Sequence, residues 1–441
     1  MAATIRAMVC GLGASGVAAA RLLRAEGAEV LAVDGRDAPE SRRAAAALEA
    51  LGCAVALGAD APPAGEFAVA VVSPGLPADG AFLSEVRRRG IPLLSEMELG
   101  WSRFRGRTIA VTGSNGKSSV VKALAECLEA SGQRAVPCGN YGLPVCQAVL
   151  EAPDAAWLVI EASSFQLETC AEIRPDVAVL MNVLPNHLDR HGTLETYARL
   201  KARLFARQRA GDLALTPPEW QARFREWSGG EGAWRTFGTD AACDFRHAPH
   251  RLAARDEAGI DVAGAYFDNE VLGPNAAALY GAALAAGVPA ATIAATLRAF
   301  RPLPHRAEPV GESGGVRYVN DSKATNLSAL VASVRMQDRP VWLIAGGRPK
   351  ETDFSAAVPI LRERVRGAFL IGEAAAAMAA AWGATVPCEI CGTLDRAVAA
   401  ARRAAAPGET VLLAPACTSY DQFRAYGERG DAFRRLASEK G

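Results

Sequence analysis

The segment that most constrains the fold of this chain is IAVTGSNGKSSVVKAL, residues 109–124. It reads as a buried apolar strand, a glycine turn and the beginning of a helix, which is the layout of a phosphate-binding loop. The general spacing G-x-x-x-x-G-K-[ST] would place a glycine at position 111, but Val111 stands there. The segment is therefore either a nucleotide site of a particular kind or an ordinary helix-entry turn with a solvated lysine.

The residues of this loop favour the nucleotide site. Backbone N–H groups at a helix start, together with the positive end of the helix dipole, stabilise phosphate. Lys117 would reach the β- and γ-phosphates of ATP, and the Ser118 hydroxyl could ligate Mg²⁺. The predicted ATP-binding loop comprises Gly113, Ser114, Asn115, Gly116, Lys117, Ser118 and Ser119.

Short apolar runs alternate with Ala- and Leu-rich helical stretches along the chain, and this alternation predicts parallel α/β sheets. The length of 441 residues allows about three domains. New modules begin near RTIAVTGSNGKSS and again after RPLPHR. Only the stretch 211–270 has weak periodicity, and we expect it to be irregular or antiparallel.

Charge and composition exclude several classes of protein. Lys plus Arg and Asp plus Glu are 48 each, so a nucleic-acid or acidic-membrane surface is not expected. The ten cysteines lie mostly in apolar runs and are expected to be reduced, buried thiols. The sequence shows neither a signal-peptide pattern nor an apolar run of membrane-spanning length, so we expect a cytoplasmic protein without membrane insertion.

A second glycine turn follows the first predicted strand. Gly11, Gly13 and Gly16 match G-x-G-x-x-G, and Asp34 ends the next strand, as in dinucleotide sites. The pattern is weak by itself, because turns after the first strand of such sheets need glycine for packing in any case. From the turn alone, a nicotinamide cofactor and another phosphate-bearing ligand both remain open.

Residues that could bind Mg²⁺ follow later strands of the central module. Glu161 comes directly after the strand WLVI, where a metal ligand beside a phosphate loop is expected; the alternative is an acidic residue at a helix start. NVLPNHLDRH supplies His187 and Asp189, which a plain surface loop would also explain. Lys201 lies on the predicted helix LETYARLKARLF and by itself reads as a surface lysine.

Polar segments also follow successive strands of the last module. NDSKATN contains Asp321, Lys323 and Thr325, and GGRPK and PACTSYDQF stand at comparable positions. The carboxyl ends of parallel strands meet at one edge of a sheet, which is the ligand edge. Turn chemistry would explain any one segment alone, but three in succession favour a binding edge.

The motifs TGSNGKSS, EASSFQLE, NHLDRHG, LPHRAEPV, NDSKATN, IAGG with Lys350 and LLAPACTSYDQF occur in this order across essentially the whole chain. Together they resemble the Mur ligases of peptidoglycan synthesis, and among these the ligases that join D-glutamate to UDP-N-acetylmuramoyl-L-alanine. The phosphate loop of that family lacks the early glycine, so Val111 fits it. The resemblance implies an ATP-dependent carboxylate–amine ligase that works through an acyl phosphate and releases ADP and phosphate.

The resemblance also implies three α/β domains and their ligands. We expect a Rossmann-like UDP-substrate-binding domain at 1–98, a central P-loop ATPase-type domain at 99–301 and a Rossmann-like glutamate-binding domain at 302–441. The implied partners are UDP-N-acetylmuramoyl-L-alanine and D-glutamate, the implied cofactors are ATP and two Mg²⁺ ions, and the implied state is a monomer.

Site residues follow from the resemblance by motif match. The UDP substrate is expected on Ser15, Asp34, Arg36, Ser73 and Asn140. The ATP loop is completed by Asn275, Arg306, Asp321 and Lys323. The expected catalytic residues are Lys117, Glu161, His187 and Lys201, and the expected metal ligands are Ser118, Glu161, His187 and Lys201 as a carbamate. Glutamate is expected on Thr325, Lys350, Ser419 and Tyr426, the last replacing a phenylalanine.

Other functions stay open at this point. A sister ligase that uses L-glutamate or another amino acid would keep the same motifs. Folylpolyglutamate synthetase shares the ATPase pattern but does not need the GLGASG module. A non-catalytic nucleotide-sugar-binding protein is disfavoured because Lys117, Glu161, His187 and Lys201 are all present. A dehydrogenase would leave the phosphate loop and NDSKATN without a task.

Overall fold

The computed structural model describes residues 5–255 and 257–438, without the side chain of Asp189. The chain forms two compact units, Met1–Asp268 with Gly273–Ala299 and Asn269–Leu272 with Phe300–Gly441. Three sheets, mostly parallel, run through these units, and this confirms the α/β class. The three domain boundaries predicted from the sequence stay a prediction.

The first sheet lies in the first unit and is parallel throughout. Its strands are β1 Arg6–Cys10, β2 Glu29–Asp34, β3 Ala54–Leu57, β4 Val69–Val72 and β5 Leu93–Ser95, and its helices are α1 Ala14–Ala25, α2 Pro39–Glu49, α3 Ala81–Arg88 and α4 Glu96–Arg103. The spatial order is β3-β2-β1-β4-β5. The chain therefore reverses direction across the sheet between β1 and β4, and such a switch point opens a crevice at the carboxyl ends of the strands.

The second sheet, also in the first unit, has nine strands. They are β6 Arg107–Thr112, β7 Ala135–Gly139, β8 Trp157–Glu161, β9 Val177–Leu180, β10 Leu213–Thr216, β11 Ala233–Gly238, β12 Phe245–Ala248, β13 Arg251–Ala254 and β14 Ile260–Asp261. The spatial order is β14-β13-β12-β11-β10-β9-β6-β8-β7. The strands β12 to β14 pair antiparallel and the others pair parallel. The weakly periodic stretch thus contains both patterns.

Eight α-helices and a short 3₁₀ helix, Arg203–Phe205, accompany this sheet. They are α5 Lys117–Ala130, α6 Val145–Glu151, α7 Ser164–Leu167, α8 Leu188–His191, α9 Leu194–Ala202, α10 Pro218–Ser228, α11 Gly273–Ala285 and α12 Ala290–Ala299. The strand β6 pairs with β8 on one side and with β9 on the other, with Val111 opposite Glu161 and Thr112 opposite Leu180. This register brings the ends of three strands to one edge.

The third sheet lies in the second unit. Its strands are β15 Glu308–Ser313, β16 Val316–Asn320, β17 Val341–Gly346, β18 Val365–Ile371, β19 Cys388–Gly392 and β20 Thr410–Leu413, in the order β15-β16-β20-β17-β18-β19. Its helices are α13 Leu327–Arg335, α14 Val358–Arg364, α15 Ala375–Trp382, α16 Leu394–Ala404 and α17 Tyr426–Ser438, with a 3₁₀ helix at Ser355–Ala357. Only the edge strand β15 is antiparallel.

The cysteines behave as the composition predicts. All ten are free thiols; nine are buried and Cys388 is half-buried. Within 5–255 and 257–438, no helix is both long enough and apolar enough to cross a membrane.

The helix α4 joins the first sheet to the second through buried carboxylates. Oε1 of Glu96 accepts a hydrogen bond from the backbone N–H of Cys146 at 2.7 Å, at the start of α6. Glu98 accepts from the backbone N–H groups of Ala171 and Glu172. Both glutamates are buried, and burial raises the pKa of Glu96 from 4.5 to about 7. The folded state therefore holds the Glu96 proton more tightly than the unfolded chain does.

The raised pKa of Glu96 predicts that the free energy of unfolding falls as the pH rises. A folded pKa above the unfolded value gives stability that is complete below pH 4.5 and is lost as the pH rises through 7. Glu96→Gln keeps the acceptor oxygen but cannot ionise, so its free energy of unfolding relative to wild type should improve by roughly 2–3 kcal/mol between pH 4.5 and pH 8. Chemical denaturation at both pH values measures the change. The same substitution at exposed Glu49 on α2 is the control, and a gap independent of pH would contradict the prediction.

Candidate active site

The phosphate loop lies between β6 and α5, and its backbone requires glycine at two positions. Gly116 has φ +85°, and a Cβ there would lie 2.6 Å from Nδ2 of Asn275 on α11. Gly113 has φ +144°, and its Cβ would lie 2.8 Å from Cβ of Met181. Position 111, in contrast, is a fully buried position within β6, where Val111 contributes to the core. The missing early glycine therefore reflects a strand that continues further before the turn.

Asn182, directly beyond β9, fastens this loop. Its Oδ1 accepts hydrogen bonds from the backbone N–H groups of Ser114 and Asn115, at 3.1 and 2.9 Å. Its Nδ2 donates to the carbonyl oxygen of Asn115 at 3.1 Å. The sequence prediction missed Asn182, although it follows a predicted strand next to the one that carries the loop.

Two lysines meet at one carbonyl oxygen of the loop. Nζ of Lys117 donates to Gly113 O at 2.9 Å, and Nζ of Lys201 donates to the same oxygen at 3.0 Å. Lys201 is 1% exposed, so the simple interpretation of it as a surface lysine is wrong. Burial, and then the charge of Lys117, hold the pKa of Lys201 well below its ordinary value, against the opposing effect of Glu161.

Glu161, at the end of β8, provides a buried carboxylate on the same edge. Its Oε1 accepts a hydrogen bond from Nδ2 of Asn140 at 2.6 Å. Its Oε2 is buried and has no hydrogen-bond partner among the described residues. A buried carboxylate oxygen without a donor is costly and is satisfied by a cation. This orphaned oxygen therefore fits a Mg²⁺ ligand, and Asn140, which the resemblance assigns to the muramoyl part of the substrate, hydrogen-bonds the other oxygen of the same carboxylate.

The other predicted metal ligands differ in their surroundings. Ser118 is buried in the first turn of α5. His187 is exposed, has φ +54° at the start of α8, and its ring centroid lies 4.8 Å from that of Phe165. No group of three or more His, Cys, Asp or Glu suited to a metal occurs in the described part of the chain. The predicted metal site contains only two residues of these types, Glu161 and His187; its other ligand oxygens would come from Ser118 and the carbamate on Lys201. The side chain of Asp189 lies outside the described residues.

A buried aromatic stack supports Lys201. Its Nζ lies 4.2 Å from the ring centroid of Tyr197, one helical turn earlier on α9. Tyr197 stacks on His191, which stacks on Phe165. Nε2 of His191 lies 3.0 Å from Oγ of Ser164, and burial lowers the pKa of His191. Only the spacing of four between Tyr197 and Lys201 could have indicated this stack from the sequence.

At the first sheet, the switch point brings together part of the predicted UDP-substrate site. Oγ of Ser73 beyond β4 donates to Gly11 O beyond β1 at 3.1 Å. A Cβ on Gly16 would lie 1.8 Å from the same carbonyl oxygen, so this position requires glycine. Asp34 is buried; burial opposes its ionisation, but the N–H groups of Leu12 and Arg36 lower its pKa overall. Three predicted residues lie near this turn, Ser15, Asp34 and Ser73, and Arg36 is exposed beside it.

The third sheet gathers the remaining predicted residues at its carboxyl edge. Asp321, Lys323 and Thr325 follow β16, Lys350 follows β17 and Ser419 follows β20. Nζ of Lys323 lies 4.1 Å from the ring centroid of Tyr426. The backbone N–H of Lys323 donates to the carbonyl oxygen of His305. The next residue, Arg306, is half-buried. Burial of its carboxyl group raises the pKa of Asp321 to about 6. Ser419 is buried, whereas Lys350 is exposed.

A phosphate loop with a buried lysine and a buried carboxylate at one sheet edge defines a nucleotide-dependent α/β enzyme. Comparison with protein families gives the class. Residues 111–268 match the Mur ligase middle domain, and residues 305–417 match the Mur ligase, glutamate ligase domain.

Sequence relatives cover almost the full chain. The UDP-N-acetylmuramoylalanine–D-glutamate ligase of Acidobacterium capsulatum is 39% identical over 98% of this chain and 95% of its own length. The ligase of the same name from Nitratidesulfovibrio vulgaris (strain DP4) is 42% identical over 97% of this chain and 95% of its own length. The chain belongs to the Mur ligase family, and it is an ATP-dependent ligase.

A solved structure shows the same fold. The MurF ligase of Thermotoga maritima in complex with ADP aligns with a TM-score of 0.62 at 15% identity, over 92% of this chain and 94% of that chain. MurF from Acinetobacter baumannii aligns with a TM-score of 0.61 at 18% identity, over 94% of this chain and 91% of that chain. At these identities the likeness concerns the fold alone.

Removing the Asn182 amide should loosen the phosphate loop. Asn182→Ala deletes the three hydrogen bonds that the side chain makes to the backbone of Ser114 and Asn115. We expect ATP to bind about tenfold more weakly, since two or three modest hydrogen bonds no longer hold the loop in its binding shape. Calorimetric titration with MgATP measures this effect. Unchanged ATP affinity in a folded variant would show that the loop keeps its shape without Asn182.

Proposed function

We propose that this protein joins D-glutamate to the carboxylate of UDP-N-acetylmuramoyl-L-alanine in cytoplasmic peptidoglycan precursor synthesis, with conversion of ATP to ADP and phosphate. The observation that carries the chemistry is the meeting of Lys117 and Lys201 at the Gly113 carbonyl of the phosphate loop, with the charge of Glu161 acting on Lys201. The choice of D-glutamate is supported by full-length relatives that carry this activity in their names. Ten free thiols fit a reducing compartment.

The reaction requires activation of a poor electrophile. In the proposed sequence, a carboxylate oxygen of the UDP substrate attacks the γ-phosphorus of ATP, the bond to the β,γ-bridging oxygen breaks, and ADP leaves. The glutamate amine then attacks the carbonyl carbon of the acyl phosphate, loses a proton, and phosphate leaves as the amide forms. Lys117 and the helix start of α5 stabilise charge on the phosphoryl oxygens.

The orphaned oxygen of Glu161 fits a divalent cation, and we assign Mg²⁺ to Glu161, Ser118, His187 and a carbamylated Lys201. When bound there, Mg²⁺ would polarise the phosphoryl oxygens as a Lewis acid. The protein's own contribution is to fix the orientation of the side chains at this sheet edge. Asn140 orients Glu161, and the stack of Phe165, His191 and Tyr197 orients the helix that carries Lys201.

Carbamylation of Lys201 would relieve an electrostatic conflict in the site. Two ammonium groups, those of Lys117 and Lys201, converge on one neutral oxygen. The Lys201 ammonium first loses a proton to solvent. The neutral amine then attacks CO₂: an N–C bond forms, one C–O π bond of CO₂ breaks, and the nitrogen loses a second proton, so that a positive group is replaced by a negative carbamate. The repulsion with Lys117 then becomes attraction, and the site gains an oxygen ligand. The burial of Lys201, which is 1% exposed, and its lowered pKa support this proposal, because a neutral amine is the form that reacts with CO₂.

We place the three substrates on the three sheets. The switch point of the first sheet, with Ser15, Asp34, Arg36 and Ser73, would hold the uridine nucleotide, so the glycine fingerprint serves a pyrophosphate and not a nicotinamide. The phosphate loop with Asn275 would hold ATP. Arg306, Asp321 and Lys323 stay ATP-binding residues predicted from the resemblance. Thr325, Lys350, Ser419 and Tyr426 would hold glutamate. We further propose that the protein works as a monomer with domains 1–98, 99–301 and 302–441.

One assay tests the proposed function. Phosphate release is measured with UDP-N-acetylmuramoyl-L-alanine, MgATP and a panel of amino acids that includes both glutamate enantiomers, and the product mass is determined. We expect turnover with D-glutamate and a product heavier by one glutamyl residue. Turnover with L-glutamate or another amino acid would identify a sister ligase. Absence of turnover with every amino acid would favour a non-catalytic nucleotide-sugar-binding protein.

The carbamate makes a separate prediction. Lys201→Ala should lose activity by about 100-fold or more, because one anionic oxygen ligand to the metal disappears. Bicarbonate should not restore this activity, whereas acetate or formate should restore part of it by supplying a carboxylate in the vacated volume. Lys122→Ala on α5, which removes an ion pair with Glu126, is the matched control. Full activity of Lys201→Ala would remove the carbamate from the mechanism.

A further inference from the structure

Arg429 is the largest charged side chain fully buried in the second unit, and neither the motifs nor the proposed chemistry uses it. It lies on α17 and is 1% exposed. Its Nε donates to Oγ of Ser322 at 3.0 Å, and its Nη2 donates to Ser322 O at 2.9 Å. Its guanidinium also donates to Cys417 O at 3.1 Å and to Thr418 O at 3.3 Å. All of these acceptors are neutral oxygens.

These acceptors belong to the loops that carry the predicted ligand residues. Ser322 stands between Asp321 and Lys323 in the loop after β16, and Cys417 and Thr418 immediately precede Ser419 in the loop after β20. The loop after β17 also approaches the guanidinium, since a Cβ on Gly347 would lie 3.1 Å from Nη1 of Arg429. The Arg429 side chain therefore hydrogen-bonds two strand-end loops of the same sheet edge and lies close to a third.

The hydrogen bonds fix which way the peptide groups face. The carbonyl oxygen of Thr418 accepts from both Arg429 and the backbone N–H of Arg348. Because the peptide group is planar and trans, the N–H of Ser419 must point away from these donors. The carbonyl of Ser322 is held in the same way and sets the direction of the Lys323 N–H, which donates to His305 O.

A buried guanidinium is a costly choice for a purely structural brace. Burial lowers the pKa of Arg429 to about 10, with Asp421 as a weaker opposing influence. An apolar side chain of similar volume would avoid the desolvation, but it could not hold several carbonyl groups in a planar fork. The cost of desolvating Arg429 is understandable if the residue serves to arrange the loops rather than to stabilise the fold.

We propose that Arg429 is a positioning residue for ATP and glutamate: it sets the geometry of the strand-end loops at 321–325, 347–350 and 417–419 without touching either substrate. This inference rests on the proposed function both for the identity of the amino acid and for the assignment of Asp321 and Lys323 to ATP. The beginning of α17 supports the same loops in a second way, since Tyr426 O accepts from Oγ of Ser322 at 2.7 Å.

The test compares Arg429→Lys with Arg434→Lys on the same helix. Lysine keeps the charge at position 429 but cannot reproduce the four hydrogen bonds that the guanidinium makes to two loops, whereas Arg434 pairs with Glu308 and Asp431. We expect Arg429→Lys to raise the KM values for ATP and glutamate about tenfold each and to leave the KM for the UDP substrate within twofold. Arg434→Lys should change none of the three.

Two other results would overturn the proposal. A lower kcat with all three KM values unchanged would mean that Arg429 only maintains the folded fraction. An equal rise in all three KM values would mean a general loss of structure. If wild type fails to use glutamate, the proposed function fails, but Arg429→Lys can still be compared with wild type by MgATP titration; equal ATP affinity would then overturn the positioning role.

A milder variant keeps the proposal testable if Arg429→Lys does not fold. Ser322→Ala removes one acceptor of Arg429 and the donor to Tyr426 O while leaving the guanidinium in place. We expect a rise of about threefold in the KM values for ATP and glutamate. Unchanged KM values in Ser322→Ala would contradict the inference.

Discussion

The carbonyl oxygen of Gly113 is the point on which the arrangement of the phosphate loop and its two lysines depends. It accepts hydrogen bonds from Lys117 and Lys201, one at the helix start of the phosphate loop and one buried on α9. Gly113 can present this oxygen only because its φ of +144° is open to glycine and because Asn182 holds the next two residues. The register of β6 against β8 then places Glu161 beside the loop. The two lysines, the backbone conformation of Gly113 and the pairing of β6 with β8 therefore together determine the surroundings of this oxygen.

The three sheets solve the same problem with different means. In each, loops at the carboxyl ends of parallel strands provide the polar groups, and a polar side chain hydrogen-bonds the backbone of those loops. Asp34 has this role in the first sheet, Asn182 in the second and Arg429 in the third. Of these three residues, motif comparison singled out Asp34 but neither Asn182 nor Arg429.

Much of the architecture could be predicted from the sequence, because its signals are local. The alternation of strands and helices, the glycine turns and the polar segments after strands all depend on residues close together in the chain. What could not be predicted depends on contacts across the fold. Lys201 reads as solvated on its own helix, yet Tyr197 and the loop bury it. Asn140 follows β7, and only the pairing of β7 with β8 brings its amide to Glu161. The antiparallel strands β12 to β14 lack strong periodicity because they are short and half-exposed.

The reactivity of the buried cysteines depends on how often the structure around each of them opens. Cys127 lies on α5, Cys138 on β7 and Cys146 on α6, and the carbonyl oxygen of Cys417 accepts a hydrogen bond from Arg429. Burial raises the pKa of each of these thiols, so the reactive thiolate forms only when the surrounding segment opens to water. The rate at which an oxidant or alkylating agent reaches each sulfur therefore reports how often that segment opens. Oxidation or alkylation would therefore begin at the cysteine whose surrounding segment opens most often, and not in the region that contains the most cysteines.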